Sequence, residues 1–312
     1  MAWCLVTGGA GFIGSHLVEA LVGAGRRVRV LDDGSTGRVA NLAGVRERIE
    51  LVEGSVTDPS AVATATEGVE HVFHLAALPS VQRSVEDPVA THEVCATGTL
   101  RVLEAARRAG VQRLVYAASS SAYGDTPGAV STEDDPVAPL SPYASAKLAG
   151  EHYCRCFTRV YGLETVRLRF FNIFGPRQRA DSPYSGVITL FIAATLRGRA
   201  PTVYGSGEQS RDFTYVANAV AALLRAAEVP GVAGKVYNVG SGGRTSVLEL
   251  VARLNEQLGT RIEPTHAPVR AGDVLHSQAD VSRARAELGY QPAVSLAEGL
   301  RWTVESVRAA GA

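Results

Sequence analysis

Residues 3–33, WCLVTGGAGFIGSHLVEALVGAGRRVRVLDD, place an apolar run, a glycine-rich turn, a helix-period stretch and a second apolar run in direct succession. Trp3 to Thr7 read as a strand, Leu17 and Leu21 share a helix face, and Val28 to Leu31 read as a second strand ending in Asp32 and Asp33. A strand that feeds a helix and then another strand over so short a stretch builds a parallel pair with a right-handed crossover. The turn carries chemistry as well as topology. Gly8 permits the tight turn, Gly11 lets backbone approach a pyrophosphate, and Gly14 lets helix and strand pack closely. Phe12 and Ile13 lie between the last two glycines and belong to the same candidate cofactor-binding turn. The helix start offers unpaired N–H groups and a positive dipole end to phosphate. Asp32 is placed to accept ribose hydroxyls and to repel a 2′-phosphate, with Asp33 reinforcing it, so NAD is expected rather than NADP. Arg38, just downstream, works against that choice.

The same alternation continues. Ile49–Glu53, His71–Leu75 and Leu114–Ser119 read as further strands, separated by helical stretches, notably Ala90–Ala109 with apolar residues at helical spacing. Thr165–Arg169 and Lys235–Val239 look like late members of one sheet. The expected fold is α/β, a Rossmann-type doubly wound parallel sheet with a smaller interleaved C-terminal substrate domain. Residues 1–172 and 215–240 are assigned to the NAD-binding part. Residues 173–214 and 241–312, richer in Pro, Gly and Arg, are assigned to the part that closes over the carboxyl ends of the strands.

Composition narrows the function classes. The 312-residue chain is 46% hydrophobic, too apolar for disorder, and its 31 basic residues equal its 31 acidic ones. Without a basic patch, no electrostatic case for nucleic acid can start. The four cysteines form no CxxC pair, and Cys154 and Cys156 sit two apart on a predicted helix, pointing in different directions, so no metal is expected. No run reaches 18 apolar residues and the N-terminus enters a strand directly, so neither a membrane span nor a signal peptide is expected and a cytoplasmic location is.

A second motif pair holds the reactive groups. YAASSSAYG puts Ser119, Ser120 and Ser121 just past an apolar strand, at the sheet edge where parallel folds hold ligands. SPYASAKLAGE puts Tyr143 and Lys147 four apart on one helix face, after a Ser141–Pro142 start signal. A tyrosine is a weak base at its ordinary pKa of about 10. A lysine ammonium and an oxidised nicotinamide nearby would both favour phenolate and make it usable near neutrality. Ser119 is positioned to hydrogen-bond the same substrate hydroxyl.

The chain resembles extended short-chain dehydrogenase/reductases of the nucleotide-sugar epimerase, dehydratase and decarboxylase group. The likeness runs through TGGAGFIG, HLAA, YAASSSAYGD, SPYASAKLAGE, LRFFNIFGPRQ, GSGEQSRDFTYV, YNVGSGGRTS and RAGDVLHSQAD, and is strongest toward UDP-hexose 4-epimerases. It implies a catalytic set of Ser119, Tyr143 and Lys147 and cofactor contacts at Leu75, Ala76 and Ala77. Asn172 matches a sugar-nucleotide contact, and Arg211 and Arg270 match arginines that grip the pyrophosphate, a task suited to bidentate guanidinium. Ser80, Arg83, Ser120, Ser121, Val187 and Asp273 complete the implied substrate set. The UDP-sugar is the implied partner, and a homodimer formed through Ala90–Ala109 and the helix of Tyr143, with Tyr153 and Phe157 on its outer stripe, is the implied assembly.

Three positions depart from the family pattern. Ser55–Val56 stands where Asp and an apolar residue usually contact adenosine, Cys95 replaces an Asn before the GT turn, and Pro79 replaces a phosphate-touching Lys. The positions after Ser119 hold hydroxyls, whereas 4,6-dehydratases carry Asp and Glu there and a uronate decarboxylase carries Glu in place of Ser121. This favours 4-epimerisation, with a uronate 4-epimerase left open by GPRQR and an NAD-bound regulatory or scaffold protein as the non-enzymatic alternative. Ser277 falls at the family's gate beside the sugar's 2-substituent. A small residue there admits an acetamido group.

Overall fold

A computed structural model describes residues 3–125, 130–179, 186–269 and 274–311. The chain begins β1 (Trp3–Thr7), α1 (Phe12–Gly23), β2 (Arg27–Asp32) and β3 (Ile49–Glu53), the last two joined by a 3-10 segment, Val39–Arg48. Then follow α2 (Pro59–Thr66), β4 (Val69–His74), α3 (Val81–Glu86), α4 (Pro88–His92), α5 (Gly98–Arg108), β5 (Arg113–Ser119), α6 (Pro142–Tyr161) and β6 (Glu164–Phe170). The later part contains β7 (Ile173–Phe174), α7 (Val187–Leu196), β8 (Thr202–Tyr204), β9 (Ser210–Arg211), β10 (Thr214–Tyr215), α8 (Val216–Glu228) and β11 (Val236–Val239). It closes with β12 (Thr245–Ser246), α9 (Val247–Leu258), β13 (Thr265–Ala267), β14 (His276–Ser277) and α10 (Leu296–Ala309).

Seven strands pair in the order β11-β6-β5-β4-β1-β2-β3, every pair parallel. The order reverses between β1 and β4, which opens a crevice at their carboxyl ends. The doubly wound sheet is thus present, with smaller two- and three-stranded sheets in the later part. Two apolar clusters flank it, one including Val6, Leu17, Val30, Val115 and Leu223, the other Leu5, Leu31, Val72, Leu103 and Leu114. Adjacent strand residues fall into opposite clusters because side chains alternate across a pleated strand, and both faces need cover. A third cluster gathers Phe174, Phe191, Ile192, Leu250 and Leu300 from the later elements, and Phe12 and Ile13 pack against it.

Local signals fix the helix that matters most. Ser141 caps α6 by accepting the Ala144 amide at 3.1 Å, Pro142 supplies a preset first-turn φ, and Gly162 ends the helix in the left-handed region at φ +74°. The helical stretch expected at Ala90–Ala109 is present, with a π turn over Glu93–Thr97 between α4 and α5. One sequence expectation is corrected here. Phe157 does not line the outer face of α6. It is buried with Cys154 and Leu163 in the core, because its position on the helix faces the sheet, while Tyr153 remains exposed. Among the described residues, no helix is long and apolar enough to cross a membrane.

Candidate active site

The glycine turn lies at the crevice between β1 and β4. Gly8 adopts φ +70°, and a Cβ there would come within 2.8 Å of the Ala76 amide nitrogen. A Cβ on Gly14 would lie 2.1 Å from the Gly8 carbonyl oxygen, an approach no backbone shift of a few tenths of an ångström relieves. Gly11 caps α1 with extended backbone and no side-chain cap, so the first-turn amides meet no side-chain acceptor from the cap. An uncapped helix start beside so tight a turn fits the pyrophosphate of a dinucleotide.

Asp32 closes β2. Its two oxygens accept the Ala10 amide and the Gly34 amide, each at 2.9 Å. Burial pushes its carboxyl upward while those amides oppose the rise. Each oxygen keeps a second lone pair for a ribose hydroxyl. Asp33 is exposed, and its Oδ1 accepts the Ser35 amide and hydroxyl. Two residues that the sequence reading missed brace the loop from behind. The Asn41 amide donates to the Ala10 carbonyl at 2.9 Å, and a Cβ on Gly37 would meet the Ala10 carbonyl carbon at 2.7 Å. Ser55 receives the Thr57 amide and hydroxyl, and Val56 is buried against Gly98.

Leu75, Ala76 and Ala77 follow β4 and remain half-buried at the crevice. The amides of Leu75 and Ala76 both donate to the Thr7 hydroxyl at 3.2 Å. Thr7 and His74 Nδ1 are 2.7 Å apart, and His74 Nε2 lies 2.9 Å from the Thr99 hydroxyl, which itself donates to the Cys95 carbonyl. That pattern makes Nε2 the protonated nitrogen of a neutral imidazole. Burial, then the Lys147 charge, lowers His74 to about 3. His74 opens the HLAA motif, but its partners Thr7 and Thr99 come into view only when β1, β4 and α5 are packed together.

Tyr143 and Lys147 stand one turn apart on α6. The Tyr143 phenol is enclosed beside Cys95 and hydrogen-bonded with Ser119, although the residue as a whole is only half-buried. Burial pushes the phenol above its ordinary value, Cys95 adds to the rise, and the Ser119 hydrogen bond opposes it. The sequence predicts a lowering influence from Lys147 together with an oxidised nicotinamide. In the structure the Lys147 ammonium sits over the Tyr116 ring, 4.3 Å from its centroid, and burial lowers it toward the neutral amine. Ser119 and Ser121 hydroxyls are 2.7 Å apart, and the Ser121 amide donates to Ser119. Ser120 and Ser121 keep partial exposure.

The remaining predicted residues separate into two groups. Ser80 caps α3 by accepting the Arg83 amide at 3.1 Å, with Arg83 half-buried on that helix. Asn172 follows β6 at φ +37°, and its carbonyl accepts the Thr214 amide. Val187 opens α7 against the third cluster. Arg211 and Ser277 are brought side by side, because β14 pairs in parallel with β9 and the register sets Ser277 opposite Arg211. The Arg211 guanidinium donates to the Ser210 carbonyl at 2.9 Å. Arg270 and Asp273 lie outside the described residues.

A model of the NAD dependent epimerase/dehydratase family matches residues 4–240. The chain belongs to this family. Its members are NAD-dependent enzymes that modify nucleotide sugars, and the cofactor of this one is NAD. A UDP-glucose 4-epimerase of Mycolicibacterium smegmatis is 42% identical over 308 residues, covering 97% of this chain and 98% of that protein. The crystal structure of a Thermotoga maritima UDP-glucose 4-epimerase with UDP-glucose is 38% identical, with a TM-score of 0.94 and 99% of both chains covered. A UDP-N-acetylglucosamine 4-epimerase of Methanobrevibacter ruminantium, in complex with UDP-N-acetylmuramic acid, is 35% identical with the same TM-score and coverage.

Proposed function

We propose that this family member reversibly epimerises UDP-hexoses at carbon 4, taking UDP-glucose and UDP-galactose and also their N-acetylated counterparts. The observation that carries the reading is the Ser119–Tyr143 contact, followed by two hydroxyl residues instead of carboxylates. Tyr143 is the base for the 4-hydroxyl proton and Ser119 orients that hydroxyl. Lys147, one helical turn from Tyr143, favours phenolate in its charged form. Bound NAD supplies a hydride acceptor and donor that is regenerated within one turnover. Loss of water from the sugar would need further acid and base groups after Ser119, and Ser120 and Ser121 cannot serve as carboxyl acid and base. The epimerase relatives, similar over nearly the full chain, support the same class.

Substrate breadth rests on Ser277. A small side chain opposite Arg211 leaves space beside a sugar whose diphosphate that arginine grips. A bulky ring in the same place would intrude on a 2-acetamido group, and overpacking of this kind costs about 1–3 kcal/mol or more. The test compares kcat/KM for both sugar pairs and UDP-glucuronate in wild type and Ser277→Tyr, with products separated. Wild type is expected to turn over both pairs, and the variant to lose the N-acetylated pair while keeping the plain hexoses. Equal losses on both pairs, or no turnover of N-acetylated sugars by wild type, would contradict this reading of Ser277. Stoichiometric NADH or a dehydrated sugar would contradict the reaction class.

A further inference from the structure

Asp212, immediately after Arg211, is fully buried. Its Oδ1 accepts the Ser241 amide at 2.7 Å, the Ser241 hydroxyl at 2.6 Å and the Thr214 hydroxyl at 3.2 Å. Its Oδ2 accepts the Gly242 amide at 3.0 Å and the Ala279 amide at 3.2 Å. Its own amide donates to the Ser277 carbonyl at 2.8 Å. One carboxylate therefore ties together three stretches that are distant in sequence: β9 and its exit, the loop after β11, and the segment leaving β14.

The knot is also sterically closed. A Cβ on Gly240 would lie 2.5 Å from Asp212 Oδ2 and 2.5 Å from the Ala279 side chain, so only glycine lets the carboxylate reach both loops. Beyond Ala279 the segment is held from its other edge, where the Ser131 amide donates to the Gln278 carbonyl at 2.8 Å and the Asp280 amide to the Ser131 carbonyl at 2.9 Å. β14 itself is only two residues long. So short a ladder cannot fix its own register, and a one-residue slip would turn Ser277 to the opposite face. An ionised carboxylate that accepts only, with every donor aimed at it, is a strong anchor for such a segment.

We propose that Asp212 is a positioning residue for the nucleotide-sugar pocket, holding the register in which Ser277 faces Arg211. This rests on the assignment of those two residues to the pocket. Replacing the carboxylate with an amide of the same shape leaves an NH2 group facing backbone N–H donors, which frees part of the knot without opening a cavity.

The experiment measures calorimetric binding of UDP and of UDP-GlcNAc to wild type, Asp212→Asn and Ser241→Ala, alongside NAD content and thermal unfolding. Asp212→Asn is expected to weaken UDP by about tenfold, a loss of roughly 1.4 kcal/mol, and UDP-GlcNAc by more, with NAD content unchanged. Ser241→Ala removes one of five donors and is expected to give a smaller loss in the same order. Unchanged UDP-GlcNAc affinity in folded Asp212→Asn would overturn the proposal, as would parallel loss of NAD and UDP in both variants. Should Asp212→Asn fail to fold, Ser241→Ala decides: a selective UDP-GlcNAc loss supports the role and wild-type affinity overturns it. The readout is equilibrium binding, so failure of the epimerase reading appears in the product assay and not here.

Discussion

Tyr143 faces opposing demands. Burial holds its phenol neutral, while the proposed role as base requires the phenolate, which the positive charge of an oxidised nicotinamide would favour. The forward rate is accordingly expected to rise with pH toward the holoenzyme's own phenol pKa, and to plateau above it. Tyr143→Phe keeps the ring packed beside Cys95 and Ala146 but removes the proton acceptor. Turnover is expected to fall by about a hundred- to ten-thousandfold, with NAD content and melting temperature nearly unchanged. Near-normal turnover, or loss of NAD, would show that another group takes the proton. At this scale the sequence is informative where chemistry follows local spacing. Ser119 at a strand end and Tyr143–Lys147 at helical spacing are visible before any folding. The Cys95 thiol beside Tyr143 and the Asp212 knot are not, because their partners come from other elements and no periodicity links them.

Elements were legible where apolar period and punctuation agree. All seven sheet strands overlap the runs read as strands, although Arg29 in β2, Glu50 in β3 and Arg167 and Arg169 in β6 interrupt their apolar residues. The helical stretch at Ala90–Ala109 is present, but its apolar spacing is continuous across the π turn over Glu93–Thr97 and so does not reveal it. The His74 relay between β1, β4 and α5 was likewise hidden, and it has a measurable signature. His74 is lowered to about 3 in the fold, against about 6.5 for an unfolded histidine. Its contribution is therefore fully present above about pH 6.5 and is lost as pH falls toward 3, because the unfolded chain takes up the proton first. Relative to His74→Gln, wild type is expected to lose up to about 1.4 kcal/mol more per pH unit across that window. Urea unfolding of both proteins at several pH values checks it, and parallel curves would contradict it.

At the scale of the whole molecule, the reversal of strand order between β1 and β4 sets the glycine turn, and the site read from it, at one end of the sheet. On the outer side of α4 and α6, Val89, Tyr153, Val160 and Tyr161 remain exposed. We propose that these helices pair with those of a second copy, so light scattering at micromolar protein is expected to give a dimer mass; Val89→Glu with Tyr153→Glu should shift it to the monomer. A monomeric wild type would contradict this assembly. The reaction itself is tested most directly with UDP-glucose deuterated at carbon 4. Epimerisation through Tyr143 and a tightly held NAD predicts UDP-galactose with the deuterium retained at carbon 4 and the configuration there inverted. Deuterium recovered at carbon 6 of a dehydrated sugar, or released as free deuterated NADH, would contradict the account.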